Sequence, residues 1–280
     1  MKLYSINAGL FKLDGGAMFG VVPKSIWNKL NPADENNMCT WALRCLLIET
    51  GDKRILIDTG MGNKQDAKFF GHYYLHGNDT LESSLAKHGF TKDDITDVFH
   101  THLHFDHCGG TIVRDGEQLL PAFKNATLWS NEQHWSWATK PNDREKASFL
   151  RDNILPMQES GRLQFAPVEE NVSIFNEEIT LKFAYGHTDA MMLPTIKYKG
   201  RTIVYMADLL PSAAHLPLPY VMSYDMFPLK TLSEKKLFLQ EVLENDYVLF
   251  FEHDANIECC TLHMTDKGIK VKETFTLNDL

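Results

Sequence analysis

Phe99-His100-Thr101-His102-Leu103-His104-Phe105-Asp106-His107-Cys108-Gly109-Gly110 holds His102, His104, Asp106 and His107 in the pattern H-x-H-x-D-H. Twelve histidines spread over 280 residues do not give such a cluster by chance. Imidazole and carboxylate donors at this density call for zinc or a neighbouring first-row ion, and four on so short a segment can be divided between two ions. The flanks agree. Asp97 to His100 reads as the end of a buried strand, and Cys108-Gly109-Gly110-Thr111 as a turn able to pass close to an ion. A histidine-rich surface loop that binds metal adventitiously needs neither feature.

Composition narrows the classes. With 44% hydrophobic residues the chain can bury a large core, and the absence of a linker-like stretch, repeat or low-complexity run predicts one domain over 1–280. A net charge of −9 and no basic run argue against nucleic acid as partner. Cys39, Cys45, Cys108, Cys259 and Cys260 are odd in number and lack paired spacing, so they read as reduced thiols of a cytoplasmic protein. Met1 to Asn7 has no apolar export segment, and no run of eighteen apolar residues predicts a membrane span.

Along the chain, Lys2 to Asn7 alternates like a strand. Leu13 to Lys24 carries three glycines around an exposed-looking Met18-Phe19 pair, which reads as an ordinary hairpin or as a loop over an apolar ligand. Leu43 to Glu49 and Arg54 to Asp58 form a hairpin whose second strand leaves Asp58 at its exit, as a turn cap or as the acceptor that orients a metal-bound histidine. Asn78 to Glu82 opens a helix with Leu81, Leu85 and Ala86 on its apolar face and Gly89 as its stop. His72, His76 and His88 lie on polar stretches away from other donors. Asn125 to Ser130 reads as a strand, followed by a helical segment from Glu132 through Arg144 to Leu155. Its Trp135 and Trp137 belong to the core or to the wall of a substrate pocket.

The second half repeats one device: a strand that ends on a metal-type donor. Ile179 to Tyr185 precedes Gly186-His187-Thr188, Thr202 to Ala207 precedes Asp208, and Tyr247 to Glu252 precedes His253. Beside H-x-H-x-D-H, these ends predict a site built at one edge of a sheet core. Leu209 to Tyr220, with His215, reads as an irregular loop near it. Ser233 to Glu244 reads as a helix capped by Ser233, with Leu237, Phe238, Glu241 and Val242 at helical spacing, and Thr261 to Phe275 as a terminal hairpin.

Asp58-Thr59-Gly60, the H-x-H-x-D-H stretch, Gly186-His187-Thr188, Asp208 and His253 stand in the order found in metallo-β-lactamase-fold hydrolases, which the chain resembles from 58 to 253. The resemblance implies an α/β (α+β) fold, a four-layer αββα sandwich with the metal site at the edge of its two sheets. It implies that His102, His104 and His187 hold one ion, that Asp106, His107 and His253 hold a second, and that Asp208 bridges them. The stretch Asp14 to Lys24 resembles the N-terminal loop of the branch with quorum-quenching N-acyl homoserine lactonases and organophosphate hydrolases. Two positions depart from that branch. Asp189-Ala190-Met191-Met192 stands where many lactonases have a second Gly-His, and Leu209-Leu210-Pro211-Ser212 where some have a tyrosine that touches the lactone carbonyl, a contact left to His215 or Tyr220.

These readings predict a hydrolase with two divalent ions per chain, zinc first, with iron, manganese or cobalt as alternatives. A bridging hydroxide attacks the carbonyl carbon, and Asp106 carries a proton to the leaving group. No protein nucleophile is required, so Cys108 reads as a small buried residue. The expected partner is a small ester, foremost the lactone ring of N-acyl homoserine lactones, its acyl chain lying among Met18, Phe19, Trp135, Trp137, His215 and Tyr220. Phosphotriesters, aryl esters and thioesters are the alternatives. Neither nucleic acid nor membrane is an expected partner, and the oligomeric state stays open, a homodimer included. A diiron redox enzyme of this fold would show glutamate at position 104, and a non-catalytic module would have lost donors.

Overall fold

Apolar runs become strands throughout the computed structural model, which describes residues 1–280. Two compact units make up the chain, one from Met1–Phe11 and Ala42–Val168, the other from Lys12–Trp41 and Glu169–Leu280.

The first unit is built on strands β1 (Lys2–Asp14), β2 (Met38–Thr50), β3 (Lys53–Ile57), β4 (Asp97–Phe99), β7 (Thr127–Asn131) and β8 (Leu163–Ala166), hydrogen-bonded in that order. A two-stranded ribbon, β5 (Ile112–Asp115) with β6 (Gln118–Pro121), stands apart from the sheet. In β2 every side chain from Trp41 to Ile48 is buried, the continuous burial of a strand covered on both faces. The ladders β3·β4, β4·β7 and β7·β8 are parallel, so these strands share one carboxyl edge, and the chain leaves β4 there toward His102. Ile6, Leu56, Val98, Leu128 and Met157 are among the residues of the core beneath.

Two local expectations need correction here. The helix Leu81–Lys87 starts on a capping box between Thr80 and Ser83 and buries Leu81, Ser84 and Leu85, whereas Ala86 is exposed. The tryptophan segment is two helices, Glu132–Thr139 and Arg151–Glu159, because Pro141 bars Lys140 from helical geometry. Gly109 and Gly110 serve backbone packing, since a Cβ on Gly109 would meet the Met61 carbonyl oxygen at 2.1 Å and one on Gly110 the Thr59 oxygen at 2.3 Å.

The second unit carries β9 (Ser173–Ile174), β10 (Asn176–Ala184), β11 (Met191–Tyr198), β12 (Arg201–Tyr205), β13 (Val248–Phe250), β14 (Cys259–Thr265) and β15 (Gly268–Phe275), paired in sequence order. All pairs are antiparallel except β12·β13, whose parallel register sets Tyr205 beside Phe250. Because β11 runs against both neighbours, β10, β12 and β13 end at the same edge. The helix Pro228–Asn245 begins five residues before Ser233, with Pro228 in its first turn, where a missing N–H costs nothing. Ser233 is not its cap; its hydroxyl bonds back to the Lys230 carbonyl. The buried stripe runs through Thr231, Lys235, Phe238, Leu239 and Val242, and Leu237 is 69% exposed.

The stretch Gly15–Phe19 is neither loop nor hairpin but a short helix, capped by the Asp14 carboxylate on the Ala17 N–H. Its Met18 and Phe19 are buried, at 1% and 0% exposure, so the exposed-looking pair is core. The apolar side chain this segment does show to solvent is Val21, 91% exposed. No helix is long and apolar enough to cross a membrane.

Candidate metal centre

Four donor segments obey one rule: each first donor stands three residues beyond its strand. His102 follows Phe99 of β4, His187 follows Ala184 of β10, Asp208 follows Tyr205 of β12, and His253 follows Phe250 of β13. Three residues carry each donor beyond the last ladder pair of its own strand.

In the first unit His102 Nε2 lies 3.1 Å from His104 Nδ1, and His107 Nε2 lies 3.9 Å from an Asp106 oxygen. The outward nitrogens are tied down. His104 Nε2 donates to Glu145 at 2.9 Å, and His107 Nδ1 donates to Asp58 at 3.1 Å. Asp58, fully buried with a positive φ of 56°, also accepts from the Thr101 N–H at 2.8 Å and hydroxyl at 2.7 Å. It is therefore the histidine-orienting carboxylate. A left-handed backbone at a buried aspartate is strain held by these three bonds.

Other buried groups shape this half. Glu145 accepts from the Trp137 indole N–H at 2.6 Å, and His134 Nε2 accepts from the Leu103 N–H at 2.9 Å, which fixes the residue between the two histidine donors. His100 is buried and bonded at both nitrogens, to the Trp129 carbonyl and the Thr111 hydroxyl, and burial holds its pKa below the usual range. Cys108 lies buried against the Leu103 carbonyl with its thiol pushed by burial up to about 12, as its reading as an inert residue requires.

In the second unit Asp208 is the hub. His187 Nε2 stands 3.1 Å from one of its oxygens and His253 Nε2 3.2 Å from the other. His187 Nδ1 donates to the buried Asp225 at 2.8 Å. Burial opposes charge on the His187 ring, yet Asp208 and Asp225 outweigh it and raise the pKa to about 10. A divalent cation would satisfy the same carboxylates in place of that proton. The turn is clamped from behind: Glu234 accepts from the Tyr185 and Gly186 N–H groups at 3.0 Å each, and a Cβ on Gly186 would meet Thr231 at 2.3 Å. Ala207, just before Asp208, has φ 40°, a second strained residue beside a donor.

All seven predicted donors are buried, and each offers one ligand atom. Five imidazoles and two carboxylates are donors of the kind divalent ions take, and the outer nitrogens of three of them, His104, His107 and His187, are held by Glu145, Asp58 and Asp225, the supporting hydrogen bonds such ions require. Asp225, Glu145 and His134 escaped the sequence reading, because each lies 31 to 41 residues from its partner and has no motif of its own.

The six residues assigned to the acyl chain fall into different settings. Met18, Phe19 and His215 pack together, with His215 Nε2 donating to the Met18 carbonyl at 2.9 Å and Nδ1 accepting from the Ser212 hydroxyl at 2.8 Å. Burial drives the His215 pKa down to about 3, so the ring is neutral. Tyr220 meets Phe19 edge-on at 6.2 Å and keeps partial exposure. Trp135 is in the core of the first unit, and Trp137 is partly exposed while serving Glu145.

Buried histidines and aspartates, three of the imidazoles braced by carboxylates, are the donor chemistry of a metal-dependent hydrolase. Residues 44–253 match the family model described as the metallo-beta-lactamase superfamily, and the chain belongs to that superfamily. An N-acyl homoserine lactonase of Bacillus thuringiensis is 24% identical over 270 residues, covering 92% of this chain and 94% of that protein. A probable metal-dependent hydrolase from Staphylococcus aureus shares the fold with a TM-score of 0.88 and 29% identity, over 98% of this chain and 96% of its own. AidC, a dizinc quorum-quenching lactonase solved with a product bound, superposes with a TM-score of 0.80 at 22% identity, over 98% and 95% of the two chains.

Proposed function

We propose that the protein is a dinuclear hydrolase that opens the lactone ring of N-acyl homoserine lactones, a quorum-quenching activity exerted in the cytoplasm. The observation that carries the dinuclear reading is the donor set itself, seven buried groups, with the outer nitrogens of His104, His107 and His187 braced by carboxylates. His102, His104 and His187 would hold one ion, Asp106, His107 and His253 the other, and Asp208 both. Zinc is the proposed metal, since imidazole and carboxylate suit it and a dizinc relative shares the fold. Lactonases at 24% identity over nearly the whole chain support the substrate.

Two divalent ions supply, when bound, an acidified water as nucleophile and positive charge where the carbonyl oxygen becomes negative. The protein's own part is orientation and proton handling. Asp58, Glu145 and Asp225 fix the imidazoles of His107, His104 and His187, which limits reorganisation during the reaction. Asp106, close to His107 and only 8% exposed, offers the carboxylate oxygen that carries a proton to the leaving hydroxyl. Tyr220 and Trp137, the two partly exposed rings of the six, are the proposed substrate contacts, with Met18, Phe19, His215 and Trp135 as their packed support.

The test is a panel of acyl homoserine lactones, aryl esters, thioesters and phosphotriesters on protein loaded with zinc, cobalt, manganese or iron. Lactone opening with the highest kcat/KM is the expected result. Rapid turnover of a phosphotriester or thioester, with no lactone opening above the metal-free control, would replace this substrate.

A further inference from the structure

We infer that a groove in the second unit, remote in sequence from every metal donor except through the loop after Asp208, binds an anionic amphiphile: an alkyl chain ending in a carboxylate. The groove encloses about 660 Å³, within the range of small-molecule sites, and lies between the loop at 216–218, the helix Pro228–Asn245 and the β14·β15 hairpin. Its walls are aliphatic, from Leu216, Leu218, Leu243, Met264 and Ile269, and no aromatic ring is present to stack on a base or sugar. Met264 is 64% exposed, a large apolar side chain left facing water unless something covers it.

The charge on the groove has one sign. Lys236, Lys267 and Lys270 line it, no acidic residue does, and none of the three ammonium groups is taken up by a carboxylate of the chain. In a protein of net charge −9 this is a local reversal. Aliphatic walls beside unpaired cations are complementary to an acyl chain with an anionic head.

The groove is also built in advance of its ligand. Lys235, buried behind it, donates to the Pro217 carbonyl at 2.8 Å and the Tyr220 carbonyl at 3.0 Å, so the 216–220 loop is fixed. At the opposite wall the Thr265 hydroxyl donates to the Gly268 carbonyl at 2.7 Å and accepts from the Lys267 N–H at 3.1 Å, which sets the hairpin turn. A preformed wall spends little binding energy on ordering itself.

The experiment is calorimetric titration of the zinc-loaded full chain with hexanoate, octanoate and decanoate below their micelle concentrations, with 1-octanol as the uncharged control. Wild type is compared with the K236E/K267E/K270E variant. Affinity should rise about fourfold per added methylene. The triple variant should bind decanoate at least tenfold more weakly with catalytic activity unchanged, and octanol should bind more weakly than octanoate. The inference fails if the triple variant binds decanoate as wild type does, since the ligand would then sit elsewhere. It fails equally if octanol matches octanoate. Two other occupants would also overturn it: a second copy, seen as a mass that falls in the triple variant, or anionic vesicles that bind where monomeric decanoate does not.

Discussion

His215 lies flat on Phe19, their ring centroids 4.6 Å apart and their planes within 2° of parallel. Phe19 also stacks on Trp27 at 5.3 Å, so the phenyl ring packs against two further buried rings. A ring so placed is a packing element first. Phe19→Ala would leave a cavity beside Trp27 and His215 and should cost about 3–5 kcal/mol of stability. Denaturant unfolding of the metal-loaded protein measures this. Because the cavity loosens Met18 and His215 together, kcat/KM should fall for short and long acyl chains alike. A loss confined to long chains would return Phe19 to direct contact with substrate.

The same stack sets a pH dependence. His215 has its pKa driven from 6.5 down to about 3 by burial, against the opposing effect of the Met18 carbonyl. The unfolded chain therefore takes up a proton near pH 6.5 that the folded one refuses. The contribution of this group to stability is complete above pH 6.5 and is lost as pH falls toward 3, on the order of 2 kcal/mol between pH 6.5 and 5. His215→Phe keeps the flat stack and removes the titration. Against wild type, it should lose less stability on going from pH 7 to 5, read from the midpoints of urea unfolding at both values.

The candidate donors at strand ends were legible in the sequence because each is local to its strand: His102, His187, Asp208 and His253 stand where a short apolar run stops. Asp58 was legible as one of two roles, and its bonds to Thr101 and His107 decide for orientation of the histidine. Asp225 and Glu145 were not legible, since a carboxylate in a polar loop looks the same whether or not the fold carries it to a histidine tens of residues away. Glycine-rich spacing misled for Met18 and Phe19: it marked a tight backbone, and the side chains it released turned inward onto Trp27 and His215. Helix limits failed where one proline decided them, Pro141 ending one helix and Pro228 starting another.

The carboxylates that brace the histidines should tune metal affinity without being ligands. Asp58→Asn and Asp225→Asn keep size and one acceptor oxygen but remove the charge facing His107 Nδ1 and His187 Nδ1. Each should weaken metal binding by roughly 10–100-fold. Competition with a chromophoric chelator reads the affinity, and fully loaded variants should keep most of their kcat. Unchanged affinity in both would show that the imidazoles are positioned by packing alone.

The proposed function gives Asp106 a proton to carry as well as a metal to hold, and one substitution separates the two roles. Its carboxylate lies beside His107 Nε2 at 3.9 Å, in a four-residue helix begun by His104, and it is partly reachable where Asp58 is sealed. Asp106→Asn retains an oxygen donor of the same reach while losing the group that accepts and returns a proton. If proton delivery to the leaving hydroxyl is its work, kcat should fall by about a hundredfold or more, with metal content nearly kept. Substrates with acidic leaving groups need less help in departing, so an aryl ester should lose less than an alkyl lactone does. Elemental analysis of the purified variant together with kcat on both substrates decides the matter. Equal losses on the two, in protein holding its full metal complement, would assign Asp106 to metal holding alone.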